Sequence, residues 1–442
     1  MGSETPDAIV LGGGFAGLTC AVALAQKGRA VLLLDKKPRL GGRAYSFREN
    51  GLDADNGQHL FMGCYRATRR FLKTIGTERR LDLYEEIAVD YADADGRRDR
   101  LSCPAWLPAP LHLAAGLLGL KGVSLAEKRA LFSFDRALKS MASGPIPEAV
   151  ERATVRGWLS SLGVSTNFQT RFFDPAAIGI LNDRPDVASA AGFVQALRSM
   201  FLTGRESSRF GLANTGLSEL YAEAAREFIE KRGGRVLFNE KAAELVEDGG
   251  RVHGVETERG ARYRAGWVIS ALPPWDLKRL AMPPCLRGPW EDLAPAPIVG
   301  ATLRLDRPVM SERFLGLLGT ETHWVFNKTR IHGIEEGGQT LATVISGAHR
   351  RVGDAPDAIL DVMKRELSGC LPGFSAAKVL AAKVVKEPFA TLSPVPGCEA
   401  KRPAPGSGMP GFSFAGDWTR TGFPATIESA CVSGYAAAES AE

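Results

Sequence analysis

The sequence predicts an α/β fold in which a parallel sheet is assembled from separate parts of the chain and an α+β region lies between them. Three observations support this prediction. A short apolar run, Ala8–Leu11, leads through a glycine-rich turn into a helical segment and a second apolar run. Strand-like apolar runs recur in the middle of the chain, and a last one precedes a terminal helix. Strand–helix–strand order gives right-handed parallel crossovers almost without exception.

Composition limits the classes of function. The chain has 442 residues, of which 45% are hydrophobic and 24% are charged, as expected for two or three domains with a large core. Its net charge of +5 is too small to predict a nucleic-acid partner. The seven cysteines form no C-x-x-C pair. We therefore expect no metal site and no disulfide framework, and we expect the reducing cytoplasm as the setting.

We also expect no signal peptide and no membrane-spanning helix. The first residues are polar and acidic, unlike a signal peptide. No uninterrupted apolar run reaches the ~18 residues that a membrane-spanning helix needs.

The first three elements establish a Rossmann-type unit. Ala8–Leu11 is apolar and short, as in a buried parallel strand. The predicted helix, residues 16–27, has an apolar face and ends at Gly28. Residues 31–34 form the second predicted strand, which ends at Asp35.

The turn between the first strand and the helix has the sequence GGGFAG, which fits G-x-G-x-x-G. Gly12 permits a tight turn, Gly14 lets a pyrophosphate approach the backbone, and Gly17 lets the helix pack closely on the strand. The free N–H groups at the helix start, which includes Phe15 and Ala16, suit phosphate groups. The turn therefore predicts a dinucleotide site.

The acidic residue expected in such a site is also present. Asp35 follows Gly17 by eighteen positions, and its carboxylate at a strand end can accept hydrogen bonds from ribose hydroxyls. Lys36 is assigned to the same site. A second G-x-G-x-x-G, at residues 406–411, follows no strand and has Pro410 where a helix would begin. We therefore predict one dinucleotide site and no second site for a nicotinamide cofactor.

A second motif, RLGGR at residues 39–43, follows directly. Its glycines, among them Gly42, bring backbone close to a ligand, and Arg43 can neutralise phosphates. Later elements are predicted in this order: a helix at 217–232; strands at 235–239, 245–247, 252–256, 267–270, 299–305 and 341–346; a loop-rich stretch at 386–410; a strand at 411–415; and a helix from about 425.

GGGFAG, a strand-end aspartate and LGGR together resemble the amine oxidase and phytoene desaturase superfamily of FAD enzymes. The stretches FAGDWT (414–419) and GFPATIESA (422–430) are similar to the terminal flavin-binding stretch of the desaturases. The resemblance implies FAD as the cofactor. It implies that Gly416 and Asp417 contact the ribityl–phosphate part, and that the helix beginning near Thr426 and Ile427 points its N-terminus at the flavin pyrimidine ring, where reduced flavin is negative. Ala242 matches the position whose backbone holds adenine.

A closer resemblance, strongest in residues 8–65 and 386–437, is to the squalene-associated FAD-dependent desaturases, also called hydroxysqualene dehydroxylases, of hopanoid biosynthesis. DNGQHLFMGCY (55–65) and the stretch from FDP (173–175) to LN (181–182) carry it. This family implies reductive removal of an allylic hydroxyl from hydroxysqualene, giving squalene. The implied partners are a long apolar isoprenoid and a reductant that the sequence does not identify.

Departure of hydroxide needs a proton, and His59 is the candidate acid because histidine can donate near neutral pH. In the superfamily its segment, with Gln58, runs close to the flavin ring. A structural role for His59 is the alternative. Asp55 is assigned to the same catalytic group, either orienting His59 or capping a turn.

The motifs predict a discontinuous FAD domain of residues 1–88, 206–280 and 396–442, with 89–205 and 281–395 forming a substrate and membrane-facing domain. A desaturase or an amine oxidase of the same fold is the first alternative, for which only Trp418 and Tyr435 offer a candidate aromatic pair. A lipid carrier without flavin chemistry, like the Rab GDP-dissociation inhibitors, is the second, and the complete set of motifs argues against it.

Two features predict peripheral association with the inner face of the cell membrane. Residues 103–121 are apolar but broken by prolines, and they either dip into a bilayer surface or belong to the core. Arg66, Arg69, Arg70 and Lys73 recur at helical spacing, and this basic face either contacts anionic lipid or is simply solvated.

Overall fold

The computed structural model describes residues 5–49, 51–104, 106–108, 111–334 and 337–441. Its first sheet has five strands that are parallel throughout. In spatial order the strands are Arg235–Phe238, Val31–Asp35, Ala8–Leu11, Trp267–Ser270 and Phe412–Phe414. The central strands are buried along their whole length, which explains why they are uniformly apolar rather than alternating.

Two helices pack together on one side of this sheet. They are Phe15–Gln26 and Ile427–Ser440, and both are largely buried. They approach so closely that a Cβ added to Gly434 would lie 2.4 Å from the carbonyl oxygen of Ala16. This contact joins the two ends of the chain beside the carboxyl ends of the strands.

The second large sheet has seven strands. In spatial order they are Val379–Leu392, Pro295–Leu305, Gln339–Ser346, Trp324–Asn327, Phe314–Leu318, Ile87–Asp93 and Arg98–Cys103. All neighbouring pairs are antiparallel except Phe314–Leu318 with Ile87–Asp93. The helix Pro356–Cys370 packs on this sheet through a core of its own.

The other strands of the described residues form three small sheets. Their members are Ser46–Glu49 with Leu52–Asp55; Phe61–Met62, Phe210–Ala213 and Leu81–Leu83; and Ala242–Asp248, Arg251–Thr257 and Arg262–Arg264. The remaining α-helices are Arg66–Thr74, Leu111–Gly119, Leu125–Lys128, Ala130–Ser140, Glu148–Glu151, Val155–Ser161, Thr166–Phe168, Asp174–Leu181, Ala190–Phe201, Glu223–Glu230, Pro274–Leu277, Lys328–Ile331 and Cys398–Lys401.

Two predicted elements need correction. The helix expected at 217–232 is α-helical only over Glu223–Glu230, after a π-helical turn, Ser218–Ala222. The first part of the stretch expected to be loop-rich, 386–410, belongs to the strand Val379–Leu392. Pro388 is tolerated there because this strand lies at the sheet edge and its pairing with Pro295–Leu305 is irregular at that point.

The parallel sheet takes its strands from the start, the middle and the end of the chain, whereas the seven-stranded sheet draws on residues 87–103 and 295–392. The division into two domains at the stated bounds stays a prediction. One strand, Ile87–Asp93, begins just before the predicted boundary at residue 88 and belongs to the seven-stranded sheet.

The apolar segment at 103–121 is split between core and surface, and residues 105, 109 and 110 lie outside the described part. The helix Leu111–Gly119 buries Leu113 and Leu117 but leaves Leu111 and Leu118 about half exposed. Among the described residues, no helix is both long enough and apolar enough to cross a membrane.

Candidate active site

A cavity of about 630 Å³ is lined by residues from both large sheets. We call the region formed by residues 12–16, 35–37, 41–44, 271–273, 416–418 and 423–427 its cofactor part. The remaining lining is dominated by hydrophobic side chains, and we call it the apolar part. Both parts belong to one continuous cavity, so two bound molecules could meet inside it.

The glycine turn has the geometry that the motif predicts. Gly12 adopts a φ of +100°, which favours glycine, and a Cβ on Gly17 would lie 1.9 Å from the carbonyl oxygen of Gly12. The first helical amide with a backbone partner is that of Leu18, which donates to Gly14 O at 2.9 Å. The amides before it are available to an anion at the cavity wall.

The second glycine motif packs directly on the first. A Cβ added to Gly42, where φ is +55°, would lie 3.0 Å from the Cα of Gly14. A Cβ on Gly14 would meet only Gly42, at 3.7 Å, so a side chain there would have to extend into the cavity. The two turns therefore form a continuous backbone surface.

Asp35 lies where the strand Val31–Asp35 ends. Its two carboxylate oxygens accept from Gly13 N at 2.7 Å and Lys37 N at 2.8 Å, and burial raises its pKa despite these bonds. Lys36 also lines the cavity, and its ammonium group pairs with Asp276 at 2.7 Å. A carboxylate held by backbone amides has lone pairs left for hydroxyl donors.

Arg43 connects the two ends of the chain. Its guanidinium pairs with Asp417 at 2.6 Å and donates to Ala390 O at 3.2 Å. The side chain expected to neutralise phosphates is thus bonded to the one expected to contact the ribityl–phosphate part. Asp417 follows Gly416, whose φ of +136° places the turn in the region that favours glycine.

The terminal helix begins as predicted, with Thr426 as its N-cap and Ile427 as its first residue. The Thr426 hydroxyl accepts from Ser429 N at 3.3 Å. In the first turn, Glu428 is buried and accepts from the backbone amides of Ala67 and Thr68, and burial raises its pKa. This carboxylate points away from the cavity and fixes the helix against a neighbouring one.

Gln58 and His59 both line the cavity, as expected. Burial lowers the pKa of His59 to about 4; the charge of Asp55 opposes that shift, and the charges of Arg43 and Lys328 add to it. His59 is therefore neutral at pH 7 in the protein alone.

Asp55 is held by other groups than His59. Its carboxylate forms a buried ion pair with Lys328 and accepts from Ser46 Oγ at 2.7 Å and Leu217 N at 3.0 Å. Although burial alone would raise its pKa, the Lys328 charge and these hydrogen bonds lower it. Within the described residues no hydrogen bond joins Asp55 to His59, so the structure favours the capping alternative over the orienting one.

The apolar part is rich in aromatic rings. Phe172, Phe173, Phe193, Phe314, Trp324 and Phe326 line it, together with leucine, isoleucine, valine and methionine side chains. The rings come from helices of the 89–205 region and from the seven-stranded sheet. A wall of this composition suits a long hydrocarbon and excludes water.

Of three further predicted positions, Ala242, Trp418 and Tyr435, only Trp418 lines the cavity. Ala242 begins the strand Ala242–Asp248 and is absent from the cavity lining, so its contact with adenine stays a prediction. Trp418 packs on Trp290 and Phe414, whereas Tyr435 lies under the guanidinium of Arg70. These two rings do not form an aromatic pair.

Three residues of the site could not be identified from the sequence. Lys328 pairs with Asp55, Glu387 lines the cavity and accepts from Asn56 at 2.9 Å, and Arg402 binds the loop after Gly416. Each lies outside a recognisable motif, and its importance depends on contacts with distant parts of the chain. No local signal in the sequence could have identified them.

The residues of the cofactor part fit FAD. Unpaired helix amides face the cavity at the glycine turn, and a Cβ at Gly42 would fill the space between the two turns. A dinucleotide needs an anion site, a ribose acceptor and a helix N-terminus for the flavin ring, and the cavity provides all three.

Comparisons with known proteins agree with the fit of FAD to this cavity. The sequence model of the flavin containing amine oxidoreductases matches residues 15–441. A hydroxysqualene dehydroxylase of Sinorhizobium fredii is 28% identical over 434 residues, covering 97% of both chains. A 15-cis-phytoene desaturase of Solanum lycopersicum is 25% identical and covers 98% of this chain and 77% of its own.

The fold has solved counterparts. A structure of putrescine oxidase bound to putrescine superposes with a TM-score of 0.78 over 99% of each chain, at 15% identity. The likeness at this identity concerns the fold alone. Since the family match spans nearly the whole chain, the protein is an FAD-dependent oxidoreductase and belongs to the family of flavin containing amine oxidoreductases.

Proposed function

We propose that this enzyme removes the allylic hydroxyl of hydroxysqualene reductively, giving squalene for hopanoid or triterpenoid biosynthesis. The observation that carries the proposal is the single cavity, in which an FAD cradle opens into a large aromatic-lined apolar part. A relative named hydroxysqualene dehydroxylase, similar over the full length, supports the same substrate.

The reaction breaks one C–O bond and forms one C–H bond. Reduced FAD, when bound, supplies a hydride to the allylic carbon, and a proton converts the departing oxygen to water. An external two-electron reductant must then restore the cofactor. Positive charge develops on the allyl group as the C–O bond breaks, so the site must stabilise that charge and keep water away.

The aromatic wall serves both needs. Ring faces carry negative electrostatic potential and attract a cation, most strongly where water is excluded. Phe173 and Phe193 are fully buried where they border the cavity, and Phe326 is 5% exposed. We propose that these rings stabilise the cationic allyl group and shield it from water.

His59 is the proposed proton donor. With a pKa of about 4 it is a strong acid when protonated, although only about one molecule in a thousand carries that proton at pH 7. The fixed negative charge of Asp55 raises the pKa of His59 and so favours the protonated form. Asp55 thus assists from a distance through its charge, while the charge of its bonded partner Lys328 acts in the opposite direction.

A desaturase is the second candidate, because phytoene desaturases of plants are also similar over nearly the whole chain. It would use the same cavity with oxidised FAD and would create a double bond. Reduced holoenzyme should be incubated with hydroxysqualene, and oxidised holoenzyme with phytoene, followed by product identification. Squalene from the first reaction supports the proposal, and a more unsaturated product from the second alone supports the desaturase.

We also propose that the enzyme binds a membrane surface beside the apolar part. Trp106, Leu111, Leu118, Leu125 and Phe132 are 53–82% exposed. The helices that carry three of them also line the cavity: Leu111–Gly119 contributes Leu113, and Ala130–Ser140 contributes Phe134. We call these five exposed side chains the apolar surface, and two of the helices that carry them also carry a side chain that lines the cavity.

We propose that the basic face, Arg66, Arg69, Arg70 and Lys73, makes the smaller contribution to membrane binding. It lies on the helix Arg66–Thr74, but Arg69 pairs with Glu78 at 3.2 Å and Arg70 covers the ring of Tyr435. Flotation with phosphatidylserine-containing and purely zwitterionic vesicles separates the contribution of the basic face from that of the exposed apolar side chains. The basic face should contribute only with phosphatidylserine.

We expect the double variant Leu118→Glu/Phe132→Glu to lose vesicle binding on both lipids. The matched control, Leu380→Glu, changes another exposed apolar side chain outside that surface and should float like the wild type. Equal flotation of the double variant and the wild type would contradict membrane binding through this surface.

A further inference from the structure

Arg402 is a buried arginine without direct access to the cavity. Its side chain is fully buried, and it pairs at 2.7 Å with Glu399, three residues earlier. A buried guanidinium costs several kcal/mol in lost hydration unless its N–H groups are satisfied. Its remaining partners therefore indicate what the residue does.

Those partners are almost all main-chain oxygens of one loop. Arg402 donates to the carbonyl oxygens of Asp417 at 2.9 Å, Trp418 at 3.3 Å, Thr419 at 2.6 Å and Phe423 at 2.8 Å. The loop runs from the end of the last parallel strand to the terminal helix, and residues 416–418 and 423–427 of it line the cofactor part.

This arrangement fixes the orientation of the peptide groups in the loop. The C=O and N–H of a trans peptide point in opposite directions, so a carbonyl bound to Arg402 turns the following N–H away from it. The amide N–H of Trp418 is turned in this way and has no hydrogen-bond partner among the described residues. Ser429, in the first turn of the terminal helix, donates to the same Asp417 carbonyl at 3.1 Å.

We propose that Arg402 is a positioning residue for FAD: it holds the Asp417–Phe423 loop so that the Asp417 side chain and the Trp418 amide face the cofactor. Asp417 is also the partner of Arg43 at 2.6 Å, so the loop position controls the contact between the two ends of the chain. This inference depends on flavin binding and not on the identity of the substrate.

The test compares FAD affinity, visible circular dichroism of the bound flavin and the flavin midpoint potential in the wild type, Arg402→Met and Arg402→Lys. Loss of several charge-assisted hydrogen bonds should weaken FAD binding roughly tenfold to a hundredfold in Arg402→Met. Lysine keeps the charge but lacks the planar fork of donors, so Arg402→Lys should be intermediate. Both variants should show an altered flavin dichroism and a shifted potential.

Arg209→Met is the matched control. Arg209 also pairs with a glutamate three residues earlier, Glu206, and donates to two carbonyl oxygens, those of Leu83 and Tyr84. It does not line the cavity, so this variant should lose stability but keep the flavin affinity, dichroism and potential of the wild type.

Wild-type flavin affinity, dichroism and potential in Arg402→Met would overturn the proposal and leave Arg402 a merely structural residue. Should Arg402→Met fail to fold, Arg402→Lys decides in the same way: an unchanged flavin signal overturns the proposal, and an altered one supports it. None of these measurements uses the triterpene, so they stand whether or not the proposed reaction is correct.

Discussion

The two parts of the cavity are built in different ways. In the cofactor part, main-chain groups dominate: glycine turns touch each other, helix N-termini face inward, and Arg43 and Asp417 are already paired. In the apolar part, side chains dominate, and they come from segments spread between residues 56 and 430. We therefore infer that backbone geometry recognises the cofactor and that side-chain shape selects the substrate.

This difference has a practical consequence for substitutions. Changes in the cofactor part should remove FAD, while changes in the apolar part should alter substrate use and leave FAD bound. His59 lines the same cavity. Its substitution should slow the chemistry without preventing FAD or the substrate from binding. Four substitutions test these expectations.

The largest effect is expected from Gly14→Val. The valine side chain has room only in the cavity, where it would occupy the place of the pyrophosphate. The purified variant should contain essentially no flavin and show no activity, while its circular dichroism in the far ultraviolet remains that of the wild type. Stoichiometric FAD in this variant would show that the glycine turn does not bind the pyrophosphate.

A contrasting change is Gly17→Ala, which faces the protein interior. Its Cβ would meet the carbonyl oxygen of Gly12 at 1.9 Å, so the first strand and helix must move apart. This variant should lose thermal stability even as apoprotein, unlike Gly14→Val.

His59→Ala should slow turnover by something on the order of 10²–10⁴-fold while FAD remains bound. Since the pKa of His59 is about 4, its protonated fraction rises about tenfold for each unit that the pH falls between 7 and 5. The wild-type rate should therefore increase toward acid, and the variant should lack that increase. A variant with wild-type rate and pH profile would assign the proton to another group.

Ala196→Phe should have the smallest effect. Ala196 lines the apolar part from the helix Ala190–Phe201, and a larger side chain there reduces the space for the isoprenoid. We expect kcat/KM for the triterpene to fall on the order of tenfold with FAD affinity unchanged. Parallel loss of FAD would mean that the two parts of the cavity are not independent.

The same contrast explains what the sequence could reveal. Gly12, Gly42 and Gly416 have a positive φ, and Gly17 has no room for a Cβ. Short glycine motifs record such positions, so the sequence could indicate this part of the cavity. Arg402 and Lys328 act through contacts that form only when the chain folds. Arg402 contacts loop residues 15 or more positions away, and Lys328 contacts Asp55, 273 positions away. No local pattern records such contacts.

The structure also changed the interpretation of residues that the sequence did identify. The sequence identified Asp55 through the motif at residues 55–65, but the structure pairs this carboxylate with Lys328 in a buried ion pair and not with His59. Pro388 suggested a loop, yet the edge position of its strand removes the need for its missing N–H. In both cases, the role of the residue depends on which segment of the chain packs beside it in the fold.

The most direct test of the proposed function is a single anaerobic turnover. Holoenzyme whose FAD has been reduced chemically is mixed with hydroxysqualene, and the flavin absorbance and the extracted hydrocarbons are followed together. We expect the flavin to be reoxidised as squalene appears, with one squalene formed for each reduced FAD consumed. Product that forms only with oxidised flavin and carries a new double bond would contradict it.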